Sequence, residues 1–240
     1  MVNSKKEIKK MDGNGEGLAP VLEFNVQKPE PDGAMKKVGA RKNEWLDSQL
    51  ISAVRKGNAD EVERLLNMGA DVNATDTQSG WTVLMYAAYY KQNEIAELLI
   101  LRGAEVNEKS LLGETALTFA CGNGNKKLAE LLISKGADVN AKTITGMTAL
   151  MYASSNGYKE IVELLLLNKA DVNARNKYGE TALMFACENG HKEVVDFLIS
   201  KGADVNARTM SGRTALTIAI KTKHRNEEIV RMLKNMHAVE

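Results

Sequence analysis

The sequence has 240 residues, 44% apolar and 26% charged, with a net charge of +1, a composition ordinary for a globular chain of one or two domains. That near-neutral balance excludes an argument from charge alone for nucleic acid or any other partner. No apolar run approaches the twenty residues of a membrane span, and the opening MVNSKKEIKKMDGNGEG has a basic start without the apolar core of a secretory signal.

In chain order, residues 1–43 come first and hold all three prolines, Pro20, Pro29 and Pro31, with Gly13, Gly15, Gly17, Gly33, Gly39 and an excess of basic residues. Such a stretch buries too little apolar surface to offset ordering, which predicts a mostly disordered basic arm. Its one apolar patch, residues 21–26, is a candidate docking motif, although solvated tails are the commoner fate of chain termini. Residues 44–73 follow as an incomplete unit, with Leu46, Leu50, Ile51 and Val54 on one stripe and Val62, Leu65 and Leu66 on a second. From there a pattern sets in: Gly80, Gly113, Gly146, Gly179 and Gly212 each open a Gly-x-Thr and lie 33 residues apart. A Gly-Ala-Asp-Val-Asn ending recurs at residues 69–73, 136–140 and 202–206, with Glu105 for Asp in 103–107 and Lys169 for Gly in 169–173. A period sustained over five copies is the mark of a repeat array. The complete units run 74–107, 108–140, 141–173, 174–206 and 207–240, with the incomplete 44–73 as the amino-terminal cap and 207–240 as the carboxy-terminal cap.

The copy at 174–206 shows why the unit takes its shape. Thr181 can cap a helix by accepting from its free amides, and Leu183, Ala186 and Cys187 give that helix one apolar stripe. Gly190 ends it, since a left-handed residue costs glycine nothing. Glu193 suits the opening turn of a second helix, Val194, Val195, Leu198 and Ile199 supply its buried face, and Gly202 closes it. The polar stretch 203–212 is too short for another helix and predicts an extended finger that turns at Met210-Ser211-Gly212. Three irregularities carry expectations. The first finger has one extra residue, an insertion that leaves the stack untouched. Lys169 replaces the closing glycine of its repeat, which costs about 1 kcal/mol if it turns left-handed. Two added residues in the last unit move the start of its outer apolar face from Glu227 to Ile229.

A helix pair of this length cannot bury both faces alone and must stack on a neighbour. At this point the chain resembles the ankyrin repeat family over residues 44–240, which implies an all-α solenoid of helix-turn-helix units with projecting β-hairpin fingers. The sequence departs from the family's Thr-Pro-Leu-His at the proline, where Val83, Ala116, Ala149, Ala182 and Ala215 stand, and at the last position, where Met85, Thr118, Met151, Met184 and Thr217 stand. The family's histidine ties finger to finger, so the resemblance implies that this link is absent here and that methionine packing replaces it.

No catalytic constellation, cofactor motif or metal spacing is present. His191, His224 and His237 have no consistent partner. The two glycine-rich stretches, 13–17 and 122–125, lack the lysine and hydroxyl of a phosphate loop. Glu97, Glu130, Glu163 and Asp196 recur at one position and read as a solvated outer face. Cys121 and Cys187, two repeats apart, lie beyond disulfide reach and read as small buried thiols. What remains is surface. In families of this kind the fingers and the ends of the first helices line a concave groove. Trp81, Tyr89, Tyr90, Leu112, Ile144, Met147 and Tyr178 are the expected anchors there, because apolar side chains on finger tips have no core of their own. Lys109, Lys142, Arg175 and Arg208, 33 residues apart, form a basic ladder that can orient a partner, with Asp138, Asp171 and Asp204 near enough to neutralise it.

The reading is a non-enzymatic, monomeric, cytoplasmic module that binds another protein, without cofactor or membrane contact. One alternative is nucleotide or oligonucleotide sensing by aromatic stacking plus the ladder, for which the family offers a precedent with a tryptophan after a lengthened first finger, as at Trp81; Ser110 and Met147 depart from that pattern. Another is an inhibitory subunit that occludes an enzyme.

Overall fold

The computed structural model describes residues 42–224, 226–236 and 238. The arm expected over 1–43 lies outside the described residues apart from Lys42 and Asn43, and so does His237. The described helices form six pairs: α1 Lys42–Lys56 with α2 Ala59–Asn67, α3 Val83–Tyr89 with α4 Asn93–Leu101, and α5 Ala116–Gly122 with α6 Lys126–Ser134. They continue as α7 Ala149–Ser155 with α8 Lys159–Leu167, α9 Ala182–Glu188 with α10 Lys192–Ser200, and α11 Ala215–Lys221 with α12 Glu227–Asn235. Each odd-numbered helix packs on the next odd one and each even helix on the next even one, so the described stack has an inner and an outer row.

From α3 onward the inner helices have only seven residues each, well below the roughly 12–15 at which an isolated helix holds in water. Two devices sustain them. Thr82, Thr115, Thr148, Thr181 and Thr214 each cap one helix by accepting from the amide three residues on, at 3.2–3.4 Å. Almost every side chain is then buried between neighbouring inner helices, as in α7, where all seven residues are. A leucine so enclosed, such as Leu117 or Leu150, contributes about 1.5–3 kcal/mol.

The outer helices bury one stripe each, Ile161, Val162 and Leu165 in α8, and meet solvent on the other. There Glu97, Glu130 and Glu163 pair with Lys127, Lys126 and Lys159, the expected solvated face. Asn226 caps α12, two positions later than the period would give, and Ile229, Val230 and Leu233 are buried as that shift requires. Cys121 and Cys187 are buried free thiols, and burial raises both thiols.

His191 shows how closely repeats approach. Its ring lies over Gly157, where a Cβ would come within 2.6 Å of Nδ1, and its Nε2 sits 3.0 Å from the Ser155 carbonyl. The residue is part of the interface between repeats. Lys169 adopts φ +66°, so the expected strain at this position is present, and Lys91 at φ +58° is a second left-handed residue that the sequence reading missed.

The fingers differ from the expected β-hairpins. No strand occurs among the described residues, and Thr75 and Thr82 form a lone bridge. Four or five residues are too few for a ladder, so each finger closes as a tight loop: Asp76 donates to the Trp81 carbonyl, and Ser110, Thr143, Asn176 and Thr209 donate to the carbonyl four residues on. The five-residue span of the first finger accommodates its extra residue.

Candidate partner-binding groove

Consecutive fingers are joined at two levels. At the base, Asn73, Asn107, Asn140 and Asn173 accept from the amides of Glu105, Asp138, Asp171 and Asp204 in the following repeat at 2.8–2.9 Å. Asn107, Asn140 and Asn173 also donate to carbonyls of that repeat. At the tip the main chain forms the link, as Leu111, Ile144, Lys177 and Met210 donate to the carbonyls of Ser79, Leu112, Thr145 and Tyr178 at 2.8–3.0 Å. The fingers therefore stand as one connected rim, and the link thought lost with the family's histidine is carried by backbone. At the histidine position, Met85, Met151 and Met184 are buried and make no such bond, while Thr118 and Thr217 complete capping boxes.

Of the expected anchors, Leu112, Ile144 and Tyr178 stand exposed on the rim, Tyr178 at 59%. Leu111 and Met210 join them in register with Ile144, one period before it and two periods after it, a signal already legible in the sequence. Tyr90 is exposed at the end of α3 and Tyr89 is half-buried beside it.

Two expectations need correction. Trp81 is 4% exposed and Met147 is 5% exposed. In these fingers the residue after the glycine turns inward from the tip and packs between its own finger and the neighbouring repeat. Trp81 sits 5.1 Å from the rings of Tyr86 and Tyr89 and 4.4 Å from Phe119, and Tyr90 completes the group against Tyr89 and Tyr86. Tyr86 donates to Asp76 at 2.9 Å, and burial together with that carboxylate raises its phenol to about 12. The tryptophan is thus the base of a five-ring cluster, with Tyr90 as its outermost ring. The indole face that oligonucleotide stacking requires is covered.

The four basic residues of the ladder are all exposed. Arg175 donates to the main-chain carbonyl of Arg208, and Arg208 to that of Gly212. The aspartates expected to neutralise them accept instead from amides two residues ahead, Asp138 from Asn140, Asp171 from Asn173 and Asp204 from Asn206. Among the described residues Lys109, Lys142 and Arg175 form no ion pair with them.

Glu114 and Glu180 share the inward position of Trp81 and were not among the expected site residues. Glu114 is 8% exposed and accepts from Ser110 Oγ at 3.0 Å; burial holds its carboxyl above the ordinary range against the lowering effect of hydrogen bonds from Ser110 and Trp81. Glu188, at the end of α9, is also raised, by burial and then by the charge of Glu180.

The family description "Ankyrin repeats (3 copies)" matches residues 34–110, 100–176 and 164–239. The chain belongs to the ankyrin repeat family. Among curated proteins it is similar to the human mitochondrial disaggregase, at 46% identity over 61 residues that make up 25% of this chain and 8% of that protein. It is similar also to the mouse 2-5A-dependent ribonuclease, at 41% identity over 69 residues, 29% of this chain and 9% of that one. The human ARF GTPase-activating protein GIT1 matches at 40% identity over 70 residues, again 29% and 9%. The matched part spans less than a tenth of each of these relatives. Ankyrin repeats are a non-catalytic interaction fold whose general role is to bind other proteins. In this ankyrin array no described helix is long and apolar enough to cross a membrane, and among the described residues no group of three or more His, Cys, Asp or Glu could hold a metal ion.

Proposed function

We propose that this ankyrin array is a non-enzymatic binding module that grips another protein along its finger rim and concave groove. The observation that carries the reading is the exposed apolar rim of Leu111, Leu112, Ile144, Tyr178 and Met210, held in line by main-chain bonds between fingers. Exposed apolar side chains gathered on one edge are characteristic of interaction sites. Because the rim is preorganised, binding loses little conformational entropy. Tyr90 extends the surface at the amino-terminal end, and the basic ladder orients a partner whose facing surface is acidic. The test is capture from native lysate by the full chain and by a Tyr90→Ala, Tyr178→Ala variant, with retained proteins quantified by mass spectrometry. The variant is expected to lose the specific partners while its helical circular dichroism is unchanged. Retention of the same proteins by both chains overturns the reading.

A further inference from the structure

Between the second and third fingers lies a recess of about 110 Å³ lined by Leu112, Glu114, Thr143, Ile144, Thr145 and Tyr152. Its mouth is apolar and open, since Leu112 and Ile144 are exposed; its floor is polar and enclosed, since Glu114 and Tyr152 are buried. Glu114 is the one charged group in the lining. We propose that this recess accepts a lysine or arginine side chain from an extended segment of the partner, with the aliphatic stem between Leu112 and Ile144 and the cation on the Glu114 carboxylate. The proposal deepens the reading of the rim as a partner surface and rests on it.

The array supplies its own comparison. Glu180 occupies the same position as Glu114 two repeats later, is likewise tied to its own finger, by Asn176 Nδ2 at 2.8 Å, and faces Arg213, the corresponding residue of the next repeat, at 3.7 Å. The residue that follows Glu114 by the same interval is Met147, whose sulfur takes a contact from Asn176 Nδ2 at 3.4 Å and offers no charge. Among the described residues no lysine or arginine pairs with Glu114. An enclosed carboxylate without a cation has already lost much of its hydration, so a cation that reaches it gains more than one that meets an exposed carboxylate. Long basic side chains suit such a site because the stem is apolar and only the head is charged. The finger holds the acceptor ready: Ser110 Oγ meets both the amide and the carboxylate of Glu114, so the side chain is fixed before any partner arrives.

The test pans the full chain against a random dodecapeptide library displayed on phage and then measures the enriched peptides by titration calorimetry. Enriched peptides are expected to carry Lys or Arg at one shared register, and norleucine at that register should weaken binding about tenfold or more, the size of a hydrogen bond to a charged group. Glu114→Gln, which keeps the Ser110 contact, should cause the same loss, and the two changes together no more than either alone. Thr145→Arg, which sets a competing cation at the mouth without touching the floor, should also abolish binding. Peptides whose binding needs Tyr90 and Tyr178 but is indifferent to Glu114→Gln overturn the recess and leave the rim reading intact. Peptides indifferent to Tyr90→Ala, Tyr178→Ala overturn the rim reading as well. Failure to enrich any peptide overturns the recess as an acceptor of extended segments.

Discussion

The base and the tip of each finger are joined to the next repeat in opposite ways. At the base the link is a side chain, Asn107 to Asp138 and Asn140 to Asp171, so the residue is specified and recurs with the period. At the tip the link is main chain, Ile144 to Leu112 and Lys177 to Thr145, so any residue able to donate an N–H serves. The difference explains how one array can be uniform in its packing and varied at its tips. Rigidity is assigned to positions where sequence is constrained, and the tips are left free to vary and so to carry the proposed recognition.

The largest expected effect lies at the base. Asn140→Ala removes one bond to the Asp171 amide and one to the Lys169 carbonyl, and at about 0.5–1.5 kcal/mol each should lower stability by roughly 1–3 kcal/mol in urea unfolding. Tyr178→Ala, an exposed tip residue, should stay within about 0.5 kcal/mol. Equal losses at the two sites would erase the distinction.

At the tip the comparison sharpens to a single residue. Ile144→Ala keeps the N–H and should cost little, whereas Ile144→Pro removes the donor to Leu112 and should cost about 1–2 kcal/mol. Parity between the two variants in thermal unfolding would mean that the rim is not held by its backbone.

A smaller effect, of opposite sign, is expected where the base departs from its own rule. Lys169 is left-handed at a position where Gly69, Gly103, Gly136 and Gly202 are also left-handed. Lys169→Gly should therefore stabilise the chain by up to about 1 kcal/mol, the relief of the Cβ clash less the added freedom of the unfolded chain. A loss of stability in urea unfolding would show that the lysine side chain contributes something the strain argument omits.

The architecture was readable because every repeat has to solve the same packing problem, and a threonine cap, a left-handed stop that is glycine in most copies and an apolar stripe solve it in the same order each time. The orientation of the residue after the finger glycine was not. Trp81, Glu114, Met147, Glu180 and Arg213 share only one repeated residue type, glutamate, and variability at one register suggests exposure. The first three are buried and the last two part-buried, because a finger closed over four or five residues turns that position away from the tip. Whether a varied position faces a partner or a neighbouring repeat depends on loop geometry, which the period does not encode. The same geometry hid the carboxylate at the floor of the recess and the main-chain links at the tips.

The smallest effect concerns two finger carboxylates with opposite surroundings. Asp76 is raised by burial, but donors outweigh it: the Gln78 amide at 3.0 Å, Ser79 Oγ at 2.8 Å and the Tyr86 phenol at 2.9 Å leave its carboxyl below the ordinary range. Glu114 has fewer donors, and burial leaves it above that range. The unfolded chain returns both to ordinary values, so linkage gives the two opposite signs. The Asp76 contribution is present above its unfolded value of about 3.8 and is lost as pH falls through its lower folded value. For Glu114 the folded chain holds the proton more tightly, and the group's contribution declines as pH rises from about 4.5 through its raised folded value. Unfolding followed from pH 3 to pH 8 should therefore show Asp76→Asn falling further below the parent chain as pH increases, while Glu114→Gln gains on it. Curves that run parallel to the parent would mean that neither finger discriminates between the two protonation states. A Glu114→Gln curve that falls behind with rising pH would mean that its carboxylate already has a cation, which would remove the basis for assigning one to the partner.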